Sequence, residues 1–497
     1  MSATRGRSDR LPSRQVASTV VAKRSCGVLL HVSSLDGPCA IGDLGPRAHA
    51  FAQWCARAGL SWWQMLPVGP IGPGDSPYAS PSSFAGEPLF ISLDALAADG
   101  LLARADVRES NRVARKFSRQ AMVSQGSTGR TDYDAARRAK EPAFLRAFEA
   151  FRLCGGLQSA PFRSFEKHQS FWLDGWRAFM SDTTGYHSFL QFQFDRQWKA
   201  LRTRCTDLGV KLLGDIPIFV TLESADVAQH PELFRIDRLG RPEVLTGVPP
   251  DCFSKDGQLW GHPHYRWSAH RAQKFRWWTD RIATTLHRFD GARIDHFVGF
   301  HHAYEIPPHA RNARRGRWRK QAGEEVLRAA KQSLGSLALV AEDLGAVTRE
   351  VVSLRDSFGL PGMKVLQHAF GRDDSPDLPL HHERLSVVYS ATHDNDTTRG
   401  WWRALDSASR KRFIRFAGKS AAQKPHDAMN RIVFESPSQL AIVPMQDLLG
   451  LDRRARMNHP GTAVGNWRWR LGSDWPKKQR DFARKLRSLA TLTGRLV

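Results

Sequence analysis

The six cysteines of the 497-residue chain, at 26, 39, 55, 154, 205 and 252, include no Cys-x-x-Cys pair. That spacing offers no redox couple and no zinc ligand set, and a disulfide framework in so long a chain would be unusual. Reduced thiols in a cytoplasmic protein are the expectation. No stretch approaches the roughly 20 apolar residues of a membrane span, so no membrane partner is expected. Residues 1–25 hold one acid, Asp9, and lack the apolar segment of a secretory signal. They read as a disordered basic tail. Acids are scarce throughout: 49 Asp and Glu stand against 73 Lys and Arg, a net charge of +24. Such an excess can mark a nucleic-acid binder. Here it is spread over the chain, with its densest runs at 311–320 and 453–456 and no RNP motif or basic zipper. A solvated basic surface accounts for it, and no nucleic-acid partner is expected.

What is present is a soluble globular composition, 41% apolar, arranged in strand-like runs separated by helix-length spacers. The runs fall at 27–32, 61–68, 211–220, 291–297, 339–345, 362–367, 387–396 and 439–445. Helical spacing marks 47–60, 268–288, 321–334, 348–357, 404–418, 427–434 and 475–491. Eight such alternations predict an α/β fold, a (β/α)8 TIM barrel spanning 26–497 with large insertions. One insertion, about 95–207, is mostly helical; a second, about 221–267, is rich in Pro, Gly and aromatics. The loop 69–86 is too long for a plain connection. No internal repeat and no separate C-terminal β domain are evident.

Three runs end in acids: Arg293-Ile294-Asp295-His296, Ala341-Glu342-Asp343 and His393-Asp394-Asn395-Asp396. Charges at the end of a buried strand are costly unless they meet partners there. In a barrel, those ends share one mouth. Paired carboxylates are the equipment of a retaining glycosidase, with oxygens roughly 5–5.5 Å apart. Asp295 would attack the anomeric carbon. Glu342 would protonate the leaving oxygen and then deprotonate the acceptor, for which its pKa must be raised. Asp394 would hold sugar hydroxyls around a distorted ring. Arg293 would keep Asp295 ionised. His296 and His393 could donate to hydroxyls. Tyr78, Asp215, Trp260 and Asn466-Trp467 supply the aromatic faces and hydrogen-bonding groups that sugars need. Trp402, Trp467 and Trp469 suit the core equally well.

Together these stretches resemble the amylomaltases, the 4-α-glucanotransferases of glycoside hydrolase family 77. The likeness runs from about residue 26 to 475. It is carried by Gly27–Gly45, Trp63–Gly86, Gly214–Val220, Gly247–Gly261, Arg293–Phe297, Ala341–Gly345, Gly359–Gln367, Thr392–Thr398 and Arg456–Arg470. It implies Asp295 as nucleophile, Glu342 as acid/base and Asp394 as transition-state stabiliser. Glucan contacts are implied for Tyr78, Asp215, Trp260, Arg293, His393 and Asn466. The implied substrates are α-1,4-glucan and maltooligosaccharide donors, with glucose or maltooligosaccharides as acceptors. No metal or organic cofactor is implied. Segment 247–261 is similar to the family's loop over the acceptor sites. The chain departs from the family pattern at Cys252, where a Tyr is usual, at His262 and at Val298.

Overall fold

The computed structural model describes residues 19–125, 129–250, 254–472 and 475–497. Among them the strands run in chain order as β1 (Ser25–Leu29), β2 (Trp62–Gln64), β3 (Lys211–Ile216), β4 (Leu245–Val248), β5 (Gln258–Pro263), β6 (Gly291–Ile294), β7 (His302–Ile306), β8 (Arg317–Lys320), β9 (Leu339–Ala341), β10 (Gly362–Val365), β11 (Ser386–Tyr389) and β12 (Leu440–Pro444). Eight of them close into a barrel in the order β1-β12-β11-β10-β9-β6-β3-β2, every pair parallel. Parallel strands covered by helices are buried on both faces and read as continuous apolar runs. Leu339-Val340-Ala341 and Leu440-Ala441-Ile442-Val443 are fully buried examples. Packing between strands is tight: a Cβ on Gly27 of β1 would lie 2.5 Å from the Trp62 carbonyl oxygen of β2. All eight expected barrel strands are present, several shorter than their apolar runs. β3 stops at Ile216 instead of running to Val220, and β11 stops at Tyr389, so Asp394 stands in the loop beyond its strand.

The helices match the expected pattern with two breaks. The 268–288 run divides into Trp267–Ala272 and Arg276–Arg288, and the 404–418 run follows a separate helix, Thr398–Ala404, as Ser407–Ala417. Between β2 and β3 the chain is helical: Leu93–Ala98, Arg104–Gln125, Tyr133–Leu153, Ala160–Phe179 and Tyr186–Asp207. Lys140 ties this region to the loop after β1. Its ammonium is fully buried, 3.1 Å from Asp43 and bonded to the Leu89 and Ile91 carbonyls. Trp198 fixes the last helix to the barrel, its ring edge-on to Phe289 and its N–H on the Arg288 carbonyl.

The remaining four strands form a second, antiparallel sheet in the order β5-β4-β7-β8. Half of it lies in the expected 221–267 insertion. The other half, β7 and β8, follows β6 and was not anticipated. Every residue of β8 (Arg-Trp-Arg-Lys) is exposed, so it has no inward-facing side to produce a strand's alternation.

Residues 19–25, expected to belong to a disordered tail, are built into the barrel base; residues 1–18 lie outside the described part. Val20 and Val21 are buried. Arg24 donates to the Thr493, Ser436, Ser438 and Phe434 carbonyls. The fully buried Arg495 donates to carbonyls of Ser25, Phe434, Ser436, Ser438 and Gln439. Two guanidiniums thus supply donors to backbone carbonyls around the starts of β1 and β12.

Candidate active site

The carboxyl ends of β3, β6 and β9 bring three acids onto one cation. Arg293, in β6, is 2% exposed. Its Nη1 lies 2.5 Å from Asp215 Oδ2, and its Nη2 lies 2.7 Å from Asp295 Oδ1 and 3.1 Å from Glu342 Oε2. A planar guanidinium presents its donors as a rigid fork, so it fixes the acids' directions as well as offsetting their charge. Two oxygens that share one nitrogen can be no farther apart than those two distances laid end to end. That limit lies below the roughly 6.5–9.5 Å of an inverting pair and admits the roughly 5–5.5 Å of a retaining one.

Backbone shape completes the cluster. His296 has φ +48, an uncommon left-handed conformation for a side-chain-bearing residue. Its backbone N–H donates to Glu342 Oε2 at 2.5 Å. Its ring meets Trp260, on β5, edge to face at 5.0 Å. Burial pulls the imidazole down to about 4, so it is neutral at pH 7. Tyr78 donates its phenol to Asp215 Oδ2 at 2.8 Å. Burial, then the nearby Asp215, push that phenol well above its ordinary value, so it remains a donor.

Asp394 is held from the C-terminal loop. Asn458 Nδ2 donates to its Oδ1 at 2.5 Å, Arg456 Nη2 donates to its backbone carbonyl, and His393 Nε2 lies 3.4 Å from Oδ2. His393 stacks on Tyr78 at 5.1 Å, and Trp467 leans on both rings. Trp467 is thus part of this wall. Trp469 is buried, and Trp402 packs against Phe413. Asn466 is buried with its amide used inside its own loop: Oδ1 accepts from His459 N, and Nδ2 donates to the Thr462 carbonyl. It shapes the loop beneath Trp467. Asp75 pairs with Arg468 at 2.5 Å, joining this loop to the one carrying Tyr78.

The proton distribution reverses the expectation. Glu342 was expected raised and Asp295 ionised. Instead Asp295 is pushed well above the carboxylate range by burial, which the Arg293 cation does not fully offset beside the acids Glu342, Asp215 and Asp394. Glu342 is held below its ordinary value. Burial raises it, but Arg293, the His296 N–H and the two histidines together outweigh that. Of the two acids, Asp295 therefore keeps a proton to the higher pH in the ligand-free site. The His296 N–H bond to Glu342, which adds to the larger effect of Arg293, spans 46 positions and depends on a left-handed residue, so the sequence carries no sign of it. Asn458 and Arg456 were likewise not singled out; both lie within the Arg456–Arg470 stretch.

Residues 251–253, which include Cys252, lie outside the described residues. β4 and β5 are the antiparallel arms on either side of them. Among the described residues no three His, Cys, Asp or Glu side chains are grouped to hold a metal ion, and no helix is long and apolar enough to cross a membrane.

A closed parallel barrel whose strand ends gather carboxylates around one arginine defines a (β/α)8 enzyme with an acid-based centre. Sequence and structure comparisons narrow the class. The family model described as 4-alpha-glucanotransferase, glycoside hydrolase family 77, matches residues 30–183 and 176–474. The chain is 38% identical to the 4-alpha-glucanotransferase of Thermus thermophilus, over 95% of this chain and 99% of that one. It is 36% identical to the chloroplastic/amyloplastic 4-alpha-glucanotransferase of Arabidopsis thaliana, over 96% and 86%. An amylomaltase from Streptococcus agalactiae, solved in complex with acarbose, superposes with a TM-score of 0.83 at 31% identity, covering 95% of this chain and all of that one. The chain belongs to glycoside hydrolase family 77, the 4-alpha-glucanotransferases.

Proposed function

We propose that the protein transfers a segment of an α-1,4-glucan to the 4-hydroxyl of a glucose or maltooligosaccharide acceptor, by double displacement through a glucosyl ester on Asp295. The observation that carries the reading is the shared Arg293 fork. It keeps the nearest oxygens of Asp295 and Glu342 within the limit that admits a retaining pair, and the two acids shift in opposite directions. Asp295 attacks the anomeric carbon, the glycosidic C–O bond breaks, and Glu342 supplies the proton to the leaving 4-oxygen. Glu342, now a carboxylate, takes the proton from the incoming acceptor hydroxyl, which displaces Asp295 with net retention. For the first step the proton of the pair must sit on Glu342, with Asp295 ionised. A donor that displaces the His296 N–H contact or separates Glu342 from Arg293 would raise Glu342 and favour that placement.

Asp394, held by Asn458, is placed to grip ring hydroxyls. Tyr78, His393 and Trp467 form an aromatic wall suited to a sugar face. Trp260 and His296 line the side formed by the second sheet. Water competes for the ester, but an acceptor held in attack geometry has an effective molarity on the order of 10⁵ M or more. A role in maltose, glycogen or starch metabolism follows from that substrate class. The unpaired state of the five described cysteines supports a reducing compartment such as the cytoplasm.

The test is the product ladder from maltotriose. A transferase yields glucose and progressively longer maltooligosaccharides with little net gain in reducing ends. A rise in reducing ends in step with substrate loss, with no longer oligomer, would make the protein a hydrolase.

A further inference from the structure

A second concavity lies apart from the acid cluster, between the helices Ala160–Phe179, Ala225–Gln229 and Arg276–Arg288. It measures about 520 Å³, within the roughly 300–1,000 Å³ range of small-molecule sites. One wall is aromatic. Phe84 sits at its centre, with Phe171 edge-on at 5.6 Å, Trp172 stacked at 6.5 Å and Trp277 edge-on at 6.2 Å. Phe171 is 38% exposed, so part of its ring is accessible. The neutral amides of Gln229 and Gln273 also line the concavity, Gln273 Nε2 donating to Glu232 Oε1 at 3.2 Å and leaving its carbonyl oxygen for a ligand. The charges lining it are of both signs, Lys274 and Arg276 against Asp226 and Asp280, with Arg276 3.5 Å from Asp280.

Backbone strain coincides with the same rim. Lys274 and Phe275 are consecutive residues at φ +52 and +58, where side-chain-bearing residues are uncommon and where strain gathers at binding sites. A partly exposed aromatic ring beside neutral amides, with charges of both signs, suits a neutral polyhydroxylated ligand. It does not suit a phosphate or a cation. The pocket also touches the catalytic loop. Ser82 and Phe84 follow Tyr78 by four and six residues, and Asp226 fixes this stretch by accepting the Ser83 N–H at 2.8 Å.

We propose that this pocket is an accessory oligosaccharide site, binding an α-glucan segment through a sugar face on Phe171 and hydroxyls on Gln229 and Gln273. The choice of glucan among neutral sugars rests on the transferase reading above. The site is tested by titrating the Asp295→Asn protein with maltoheptaose in a calorimeter. Two classes of site are expected, and adding Phe171→Ala or Gln273→Ala should weaken one of them roughly tenfold or more, leaving the other unchanged. Gln273 is exposed, so its variant tests the site without disturbing the aromatic cluster. If both variants give the isotherm of Asp295→Asn alone, the proposal is overturned. Failure of the catalytic reading would show separately, in the maltotriose assay of the unmodified enzyme.

Discussion

Asn458 Nδ2 donates to Asp394 Oδ1 at 2.5 Å, across 64 positions of sequence. The Asp394 side chain is 37% exposed, against 25% for Asp295 and 16% for Glu342. It therefore depends on this bond, and on Arg456 at its carbonyl, for its direction. If Asp394 grips the distorted ring in the transition state, loosening it should reduce kcat more than it raises KM. Asn458→Ala is expected to lower kcat by about 10- to 100-fold, the equivalent of one charge-assisted hydrogen bond. Steady-state kinetics with maltotriose checks this. A change confined to KM would remove Asn458 from the positioning of Asp394.

Arg293 is the only cation paired with Asp215, Asp295 and Glu342 among the described residues. A lysine keeps the charge but loses the fork, so it can reach only part of the cluster. Arg293→Lys should cost at least about 10³-fold in kcat/KM, because the acids lose their mutual geometry. Arg293→Met removes the charge itself and should destabilise the fold by about 3–5 kcal/mol, as buried acids left without a partner do. Denaturant melts alongside kinetics separate the two effects. Full activity in the lysine variant would contradict the role given to the fork.

Lys140 and Asp43 form a buried pair away from the acid cluster, with side-chain exposures of 0% and 5%. Lys140→Met leaves Asp43 buried without its cation and should cost about 3–5 kcal/mol of stability. Activity per folded molecule should be spared, since the pair touches none of the catalytic acids. Thermal melting and active-site titration together test this.

Much of the fold was legible because its strands are buried on both faces. Leu339-Val340-Ala341 and Ala441-Ile442-Val443 cannot be mistaken for surface, and Gly or Pro marks their ends. The acids were legible because Asp295 and Glu342 directly follow such runs. The antiparallel sheet was not: Arg317-Trp318-Arg319-Lys320 is a strand only through its pairing with β7, and alone it reads as a basic surface run. Asn458 was equally hidden, since an amide in a polar loop gains meaning only from the carboxylate it meets. The directions in which Asp295 and Glu342 shift were not legible either, because they depend on burial and on how Arg293 and the His296 N–H are shared among the acids.

Asp295→Asn keeps the shape of the side chain and removes its charge. Activity should fall by several orders of magnitude, as for other lost nucleophiles. Stability should move the other way. A carboxylate whose pKa is raised by folding loses stability as pH climbs from its unfolded value through its folded one. Asp295 is such a group. The asparagine variant should therefore melt higher than the native protein at pH 7, with the gap closing below about pH 4, where the unfolded acid is protonated as well. A lower melting temperature at pH 7 would mean that Arg293 stabilises the ionised form more than burial penalises it.

The pH dependence of turnover follows from the same pair. The competent state holds one proton between Asp295 and Glu342. In the free enzyme Asp295 is the raised group and keeps a proton to the higher pH, while Glu342 is lowered. kcat/KM should thus be bell-shaped. It falls on the acid side, below Glu342's ordinary value of about 4.5, as a second proton arrives. It falls on the alkaline side as the single proton leaves, at the raised value of Asp295. Glu342→Gln simplifies the curve. Glucosyl fluoride needs little protonation to depart, so this variant should lose far less rate on the fluoride than on maltotriose. With only Asp295 left to titrate, its fluoride profile should be a single limb that rises with pH and then stays flat. The midpoint should lie below the native alkaline limb, because the neighbouring negative charge that raises Asp295 is gone. Equal losses on both donors would argue against Glu342 as the acid. An alkaline decline that persisted in the variant would assign that limb to another group.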